Sequence, residues 1–587
     1  MFNYTIDNTW ISAGKTRNYL LNDPLIDYLK LNQNTNTNTN TNLNFKKRKS
    51  SNEDFHNIIL DNGHIFEQQI IDKLHELYPG QISTIINPNQ SNLSIITNPA
   101  YFKITIDKIN ERMPIIYQGV LHNPIDKTYG VPDLIVRGDY ITKIFQTTLD
   151  IINPDLYYII DIKNSNIQLS SSSDQILNNL NIKPYKSQIL IYHRILSQIQ
   201  KTDTNLAFIL ASRFTRKKNN KIYRYANPFD RLGIINYAKT DISYNNLTDS
   251  AIVHNKNLKT LNTTQFDNNF LYTNRIYPNM SNHTEPKYKK QKLEIATNNY
   301  EITSIWMCGI KQRNNALKYN IDKWSDKRLT SKILGIKGNR GRIVDLILKI
   351  NRSENIIIYP KKIKNNIGNW QNRTNLAFYI DFETLNKTAF EPSIWTNIIH
   401  DNYQSSNDII FMIGIGYSIN NQFKYKTLYL NDLSTNQQVL IIEQFIQFIK
   451  DISSDNNINY QDVNLYHWSN FEPMILSKLC TKLNIIFPVF KWIDILKIFH
   501  TEPIIIKGAL NFSLKTIGHS MYKLGLIKTI WKSSNISDGL SAMYNAYKIY
   551  LNLPNNKLLD KQMKNIVEYN KIDCKIMWDI LNALFKN

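Results

Sequence analysis

The sequence has little cysteine. Its 587 residues hold three, Cys308, Cys480 and Cys574, far apart and without paired spacing. That excludes a disulfide framework, a cysteine-rich zinc site and a four-thiolate iron–sulfur cluster within the chain. Long apolar runs are missing too: the most apolar ones, such as IIFMIGIGY at 409–417, are strand-length and too short to span a bilayer. The first thirty residues lack the basic start and unbroken apolar core of a signal peptide. The expectation is an intracellular protein, cytoplasmic or nuclear, neither secreted nor tied to a membrane. No internal repeat is apparent, and a GxxxxGK[ST] phosphate loop is absent.

What is present is bulk and positive charge. Single hydrophobic cores stop growing near roughly 250–300 residues, so a chain of this length is expected to form two or more domains. Its 42% hydrophobic and 11% aromatic residues supply packed cores and rule out a wholly disordered chain. Lysine and arginine number 70 against 48 acids, a net charge of +22. The excess predicts a polyanionic partner, nucleic acid being the commonest. A solvated surface on a chain biased toward Asn, Ile, Lys and Tyr is the alternative that charge alone leaves open.

Composition and periodicity divide the chain. Residues 33–44 are a polar low-complexity tract followed by KKRK at 46–49, read as a disordered insertion near 33–50 within an N-terminal domain of residues 1–215. Between 61 and 215, helical patterns such as GHIFEQQIIDKLHELY and KSQILIYHRILSQI alternate with strand patterns such as YYIIDIKN and NLAFILASRF. The Asn-rich stretch 216–300 reads as a polar, partly disordered linker, and 301–370 as a connector of short helices. From 371 to 587, strand patterns (LAFYIDFETL, FKYKTLYL, VNLYHWS) precede and alternate with helices such as QQVLIIEQFIQFIKDI. The fold class is α/β, in two modules.

Two clusters of acids carry the chemistry. Asp133 begins a strand in GVPDLIVRG, and YYIIDIK places Asp161 and Lys163 two apart on another, hence on one face. Neither charge buries cheaply unless paired or metal-bound. Metal-assisted phosphodiester hydrolysis wants this set: Asp133 and Asp161 to hold a cation, and Lys163 to orient and help deprotonate water and offset phosphate charge. Glu67, on the upstream helix, could complete the ligands. Pro132-Asp133…Asp161-Ile162-Lys163 resembles the PD-(D/E)XK nuclease signature, and the GHIFE and Gln188-x-x-x-Tyr192 helices resemble flanking motifs of its RecB-type branch. The resemblance implies a restriction-endonuclease-like core in which Gln188 and Tyr192 touch DNA. The cysteines of iron–sulfur relatives are absent, so no cluster is expected. A surface Asp–Lys pair on an edge strand is the competing reading.

In the second cluster, LAFYIDFETLN places Asp381 and Glu383 on one face of a strand. Glu472 follows in YHWSNFE, and the last helix sets Tyr569 and Asp573 four apart. Carboxylates so gathered need cations, and two Mg²⁺ or Mn²⁺ about 3.5–4 Å apart would clamp attacking and leaving oxygens while Tyr569 positions water. The pattern resembles DEDDy 3′–5′ exonucleases of the RNase H-like fold, and SLKTIGHSMY, WKSSNISDGLSAMYNAYKIY and YNKIDC resemble the YprB-type domain. Most such enzymes have Asp where Glu472 stands, and Asp494 is a conceivable substitute. The competing reading is an acid pair capping a turn after the strand.

Residues 301–329 have the rhythm of short helix, glycine turn, short helix. They resemble a degenerate helix–hairpin–helix, whose turn amides can hold a backbone phosphate, and Arg313, Lys318 and the KGNRGR run at 337–342, with Arg340 and Arg342, leave that contact open. Two short helices packing one domain on another would look the same. The joint order resembles RecB-family nucleases that carry both modules. It implies a metal-dependent nuclease acting on DNA in repair, replication or recombination, with any helicase as a separate partner. An RNA exonuclease and an inactive nucleic-acid-binding adaptor remain the alternatives.

Overall fold

Strands buried on both faces read as unbroken apolar runs, and two such runs organise the first half of the chain. Residues 157–162 and 206–211 are buried throughout. The structure is a computed structural model describing residues 4–35, 51–87, 92–145, 152–260, 271, 273–274, 276–372, 374–386, 408–531, 538–552 and 560–585. Short segments aside, these fall into two compact units that divide between Pro278 and Asn279.

In the first unit, α1 (Ser51–Leu77) precedes β1 (Ile82–Thr84), β2 (Ile115–Tyr117), β3 (Leu134–Arg137) and β4 (Tyr157–Leu169). Then come α2 (Lys183–Gln200), β5 (Leu206–Lys218), β6 (Lys221–Tyr225), β7 (Gly233–Asn236) and α3 (Tyr244–Thr260). The sheet order is β7-β5-β4-β3-β2-β1, with β6 pairing β5. β4 and β5 run parallel, as the α2 crossover between them requires, while β3 is antiparallel to both β2 and β4. Phe66, Ile70 and Leu74 of α1, at helical spacing, pack against Leu134, Ile160 and Phe208. Ile189, Tyr192 and Leu196 of α2 pack with Ile159, Ile209 and Ala211, the residues alternate to those.

The expected linker at 216–300 is corrected over its first half. β5 continues to Lys218, and β6, β7 and α3 follow within the first unit. The alternation here is carried by Lys, Arg and Tyr rather than aliphatic residues, so composition concealed a hairpin. Its turn is Asn219–Asn220, both left-handed at φ 50° and 59°, as a two-residue hairpin requires. Residues 36–50, and with them most of the expected insertion, lie outside the described residues.

The second unit carries a helix at Lys289–Asn298, within the expected linker, and then the connector: a 3-10 turn (Ile302–Ser304), α4 (Ile310–Leu317), α5 (Ser331–Leu334) and α6 (Gly338–Arg352). Beside the turn at Gly309 there is a second helix–turn–helix, beyond the expected 301–329, where Gly335 (φ 75°) and Gly338 (φ 64°) join α5 to α6. The connector is not a separate domain. Ile302, Leu334, Val344 and Ile347 share one core with Phe499, Ile505 and Ile580.

The sheet of this unit comprises β8 (Leu376–Asn386), β9 (Asp408–Ile419), β10 (Gln422–Tyr429), β11 (Asn464–His467) and β12 (Lys491–Asp494), in the order β10-β9-β8-β11-β12. The first three are antiparallel, and β11 and β12 run parallel to β8 and to each other. The β9–β10 turn is again a left-handed asparagine pair, Asn420–Asn421. Helices α7 (Thr435–Asp455), α8 (Phe471–Leu483), α9 (Leu514–Lys523) and α10 (Lys561–Phe585) complete the elements used below. Along β8, Phe378 and Ile380 pack with Ile441 and Phe445 of α7. Ala377 and Tyr379 share the core of Cys574 and Met577 on α10. Period two therefore aims Asp381 and Glu383 at α10. Among the described residues, no helix is long and apolar enough to cross a membrane.

Candidate active sites

The second unit gathers its acids where β8 meets α10. One carboxylate oxygen each from Asp381, Glu383 and Asp573 lie within 4.8 Å of one another. A register shift follows directly after Glu383, and such bulges re-aim side chains beside active sites. Asn570, one residue past Tyr569, is completely buried. It donates from Nδ2 to Asp381 Oδ2 (2.8 Å) and accepts from the Tyr425 hydroxyl (2.9 Å). That approach needs Gly414, opposite Asp381 on β9, since a Cβ there would sit 1.5 Å from Asn570 Oδ1. Trp531 donates its indole N–H to Asp573 Oδ1 at 2.7 Å.

The electrostatics match a site built for cations. Burial, then the charges of Asp573, Glu383 and Glu472, raises the Asp381 carboxyl well above its ordinary range. Burial and Asp573 push Glu383 up to about 8. Burial pushes Asp573 up to about 6, with Lys515 and the Trp531 hydrogen bond opposing. An all-oxygen donor set whose members repel one another fits a hard divalent cation. Tyr569 is buried, and burial followed by the Asp573 charge raises its phenol, so it enters as a hydroxyl.

Glu472 opens α8 and adds its charge to the field on the triad, while its own carboxylate lies 3.6 Å from His467 Nδ1. Asp494 serves elsewhere, accepting from the Ser469 and Lys497 amides as the cap of a short helix. Lys515, Asn570 and Trp531 were missed. Lys515 lies in the SLKTIGHSMY stretch, its Nζ 4.8 Å from the Tyr569 ring centroid. Trp531 opens the WKSSNISDGLSAMYNAYKIY stretch and Asn570 lies in YNKIDC, but amides and indoles mark no ligand pattern.

In the first unit, Lys163 Nζ lies 2.5 Å from Asp161 and 3.9 Å from Asp133. Asp133 also accepts from the Ile162 amide at 2.6 Å. Glu67 accepts from Tyr117 (3.0 Å) and from Gln118 (2.6 Å), whose amide lies 3.5 Å from Asp133. Burial raises the Asp133 carboxyl, and Asp161 adds to it. Burial opposes the Lys163 charge, but Asp161 and Asp133 outweigh it and hold the ammonium protonated. Lys163 therefore sits against both carboxylates.

The expected nucleic-acid contacts divide. Tyr192 is buried over Gly130 and bonded to Gln188 at 2.8 Å, so only Gln188 keeps partial exposure. Arg313 is corrected: it is buried against the fully buried Glu301, 3.1 Å away, and balances that carboxylate inside the fold. Lys318, Arg340 and Arg342 are exposed.

Residues 398–585 match the RNase_H superfamily. The C-terminal domain is RNase H-like. The match takes in Glu472, Tyr569 and Asp573, whereas Asp381 and Glu383 precede it on β8. RNase H-like nucleases use divalent metals and act on nucleic acid, which agrees with the RNase H-like domain's acidic cluster. Comparison with curated proteins and with solved structures finds no match.

Proposed function

We propose that the chain is a metal-dependent nuclease acting on DNA, exonucleolytic at the second-unit centre. The observation carrying this reading is the convergence of Asp381, Glu383 and Asp573 within 4.8 Å on the RNase H-like domain. Divalent cations, Mg²⁺ or Mn²⁺, would neutralise these carboxylates and supply a polarised water. The chain's own residues set the rest. Asn570 and Trp531 hold Asp381 and Asp573 in place, Glu472 extends the ligand set, and the Tyr569 hydroxyl orients the attacking water toward phosphorus. Lys515 brings a cation close to the place where phosphate charge gathers.

The first-unit cluster is read as a second hydrolytic centre of the PD-(D/E)XK kind. Its support is the order α1, four strands, α2 and the parallel strand β5, with Asp133, Asp161 and Lys163 meeting where β3 and β4 adjoin. Purified protein would be incubated with end-labelled single-stranded and duplex DNA and RNA, with Mg²⁺, Mn²⁺ or EDTA. Metal-dependent mononucleotide release from DNA, lost in Asp381→Asn, is the expected result. Preferential RNA digestion would move the substrate class, and no metal-dependent product on any substrate would leave a binding protein.

A further inference from the structure

The β5–β6 hairpin runs past the sheet that carries it. Its strands pair from Phe214↔Tyr225 to Lys218↔Lys221, while β4 stops pairing at Leu169↔Arg216. The end is therefore a two-stranded ribbon. Its root is fastened: Arg216 and Arg231 both reach Asp174, and both lie over the Tyr225 ring, at 5.9 and 4.7 Å. Beyond the root the character changes. Lys217, Lys218 and Lys221 are exposed there, Arg213 and Arg224 are exposed beside the root, and no acid occurs from 204 to 229. Ile222 and Tyr223 are 53% and 45% exposed among these cations.

We propose that this ribbon is a docking arm for duplex DNA, gripping its phosphates and setting Tyr223, which shares a face with Lys218 and Lys221, into the major groove. Charge complementarity selects a polyanion, and width selects the form. The B-form major groove, about 12 Å wide, admits a two-stranded ribbon, whereas the A-form major groove is too deep and narrow. The arm continues β5, the direct neighbour of the β4 strand that holds Asp161 and Lys163, since Lys163 pairs with Ala211 and Lys217 is on the same strand as Ala211. Six residues of strand span at most about 20 Å, so duplex held by the ribbon passes within one helical turn of Asp161 and Lys163. This placement rests on reading that cluster as a hydrolytic centre.

The test measures full-length protein binding to a labelled 30-base-pair duplex by fluorescence anisotropy in EDTA across a salt series. The variant is Lys217→Ala/Lys218→Ala/Lys221→Ala. Each lost phosphate contact lowers the magnitude of the log K–log salt slope by about 0.9, so a drop of about 3 is expected, with at least about tenfold weaker duplex binding. The matching Lys→Arg triple should keep the slope, and unchanged thermal midpoints show both variants folded. An unchanged slope overturns the proposal, as does an equal loss on single-stranded DNA or duplex RNA. Cleavage by wild type and Asp161→Asn in Mn²⁺ is scored separately. Ribbon-dependent binding without cleavage sinks the nuclease reading alone, and cleavage with ribbon-independent binding sinks the arm alone.

Discussion

Replacing Glu383 by glutamine should make the metal-free protein more stable while abolishing hydrolysis at the second-unit centre. Burial and the Asp573 charge push the Glu383 carboxyl from an ordinary 4.5 to about 8. The unfolded chain ionises at the ordinary value, so the native state binds this proton more tightly. Stability then falls as pH rises through the window between the two values, and the loss is complete above about 8. The full displacement corresponds to about 5 kcal/mol. That is an upper figure, because Asp381 and Asp573 share the repulsion. Glutamine keeps the shape and removes the charge. If half the figure is recovered, the variant in EDTA at pH 8 melts about 5–10 °C above wild type. At pH 5 the two should melt nearly together. Saturating Mn²⁺ should reverse the order at pH 8, since wild type gains binding energy and the variant has lost a ligand. Circular dichroism melts, following the transition that Mn²⁺ moves, provide the readout. A variant that melts below wild type at pH 8 in EDTA, or a gap as large at pH 5, would refute the charge argument.

Trp531→Phe removes the N–H that Asp573 accepts and should weaken Mn²⁺ binding by about 10–100-fold, measured by calorimetry; unchanged affinity would make the indole a packing residue. Lys163→Met should lower any cleavage that survives in Asp381→Asn by at least about 10²-fold, and a surviving rate insensitive to Lys163 would place the second activity elsewhere. Arg313→Met removes the cation beside the buried Glu301 carboxylate, which then keeps Thr303 but no charge partner at Arg313, and should cost about 3–5 kcal/mol in denaturant titration. At a temperature where the variant remains folded its DNA affinity should match wild type, and a lost phosphate contact there would reinstate Arg313 as a nucleic-acid ligand.

The acids were legible because period two and period four are local rules. Asp381 and Glu383 share a face by strand geometry, and Tyr569 and Asp573 by helix geometry, whatever the rest of the chain does. What brings the pairs together is a long-range packing of α10 on β8 and β9. Its requirements, Gly414 beneath Asn570 and an indole aimed at Asp573, leave no periodic trace. Arg313 misled because its sequence neighbours are solvated, while Glu301, twelve residues back, decides its environment. The hairpin at 214–225 was hidden by composition, since its alternation uses long cations and aromatics in place of aliphatic residues. Residues 301–370 looked like a separate connector because short helices carry no mark of the core they share with the following sheet.

Asparagine does the work of glycine at many bends of this fold. Among the described residues, ten of the seventeen non-glycine positions with positive φ are asparagine, including both hairpin pairs, Asn219–Asn220 and Asn420–Asn421. The chain has only 18 glycines, and asparagine is the side chain that enters this backbone region most readily after glycine. The substitution has a chemical consequence, because asparagine is among the residues that degrade on heating. Prolonged warming should convert turn amides to carboxylates, adding negative charge between Lys218 and Lys221 at the ribbon tip. The protein's working lifetime when warm would then be limited by covalent ageing of its bends, which tighter packing of either core would not prevent.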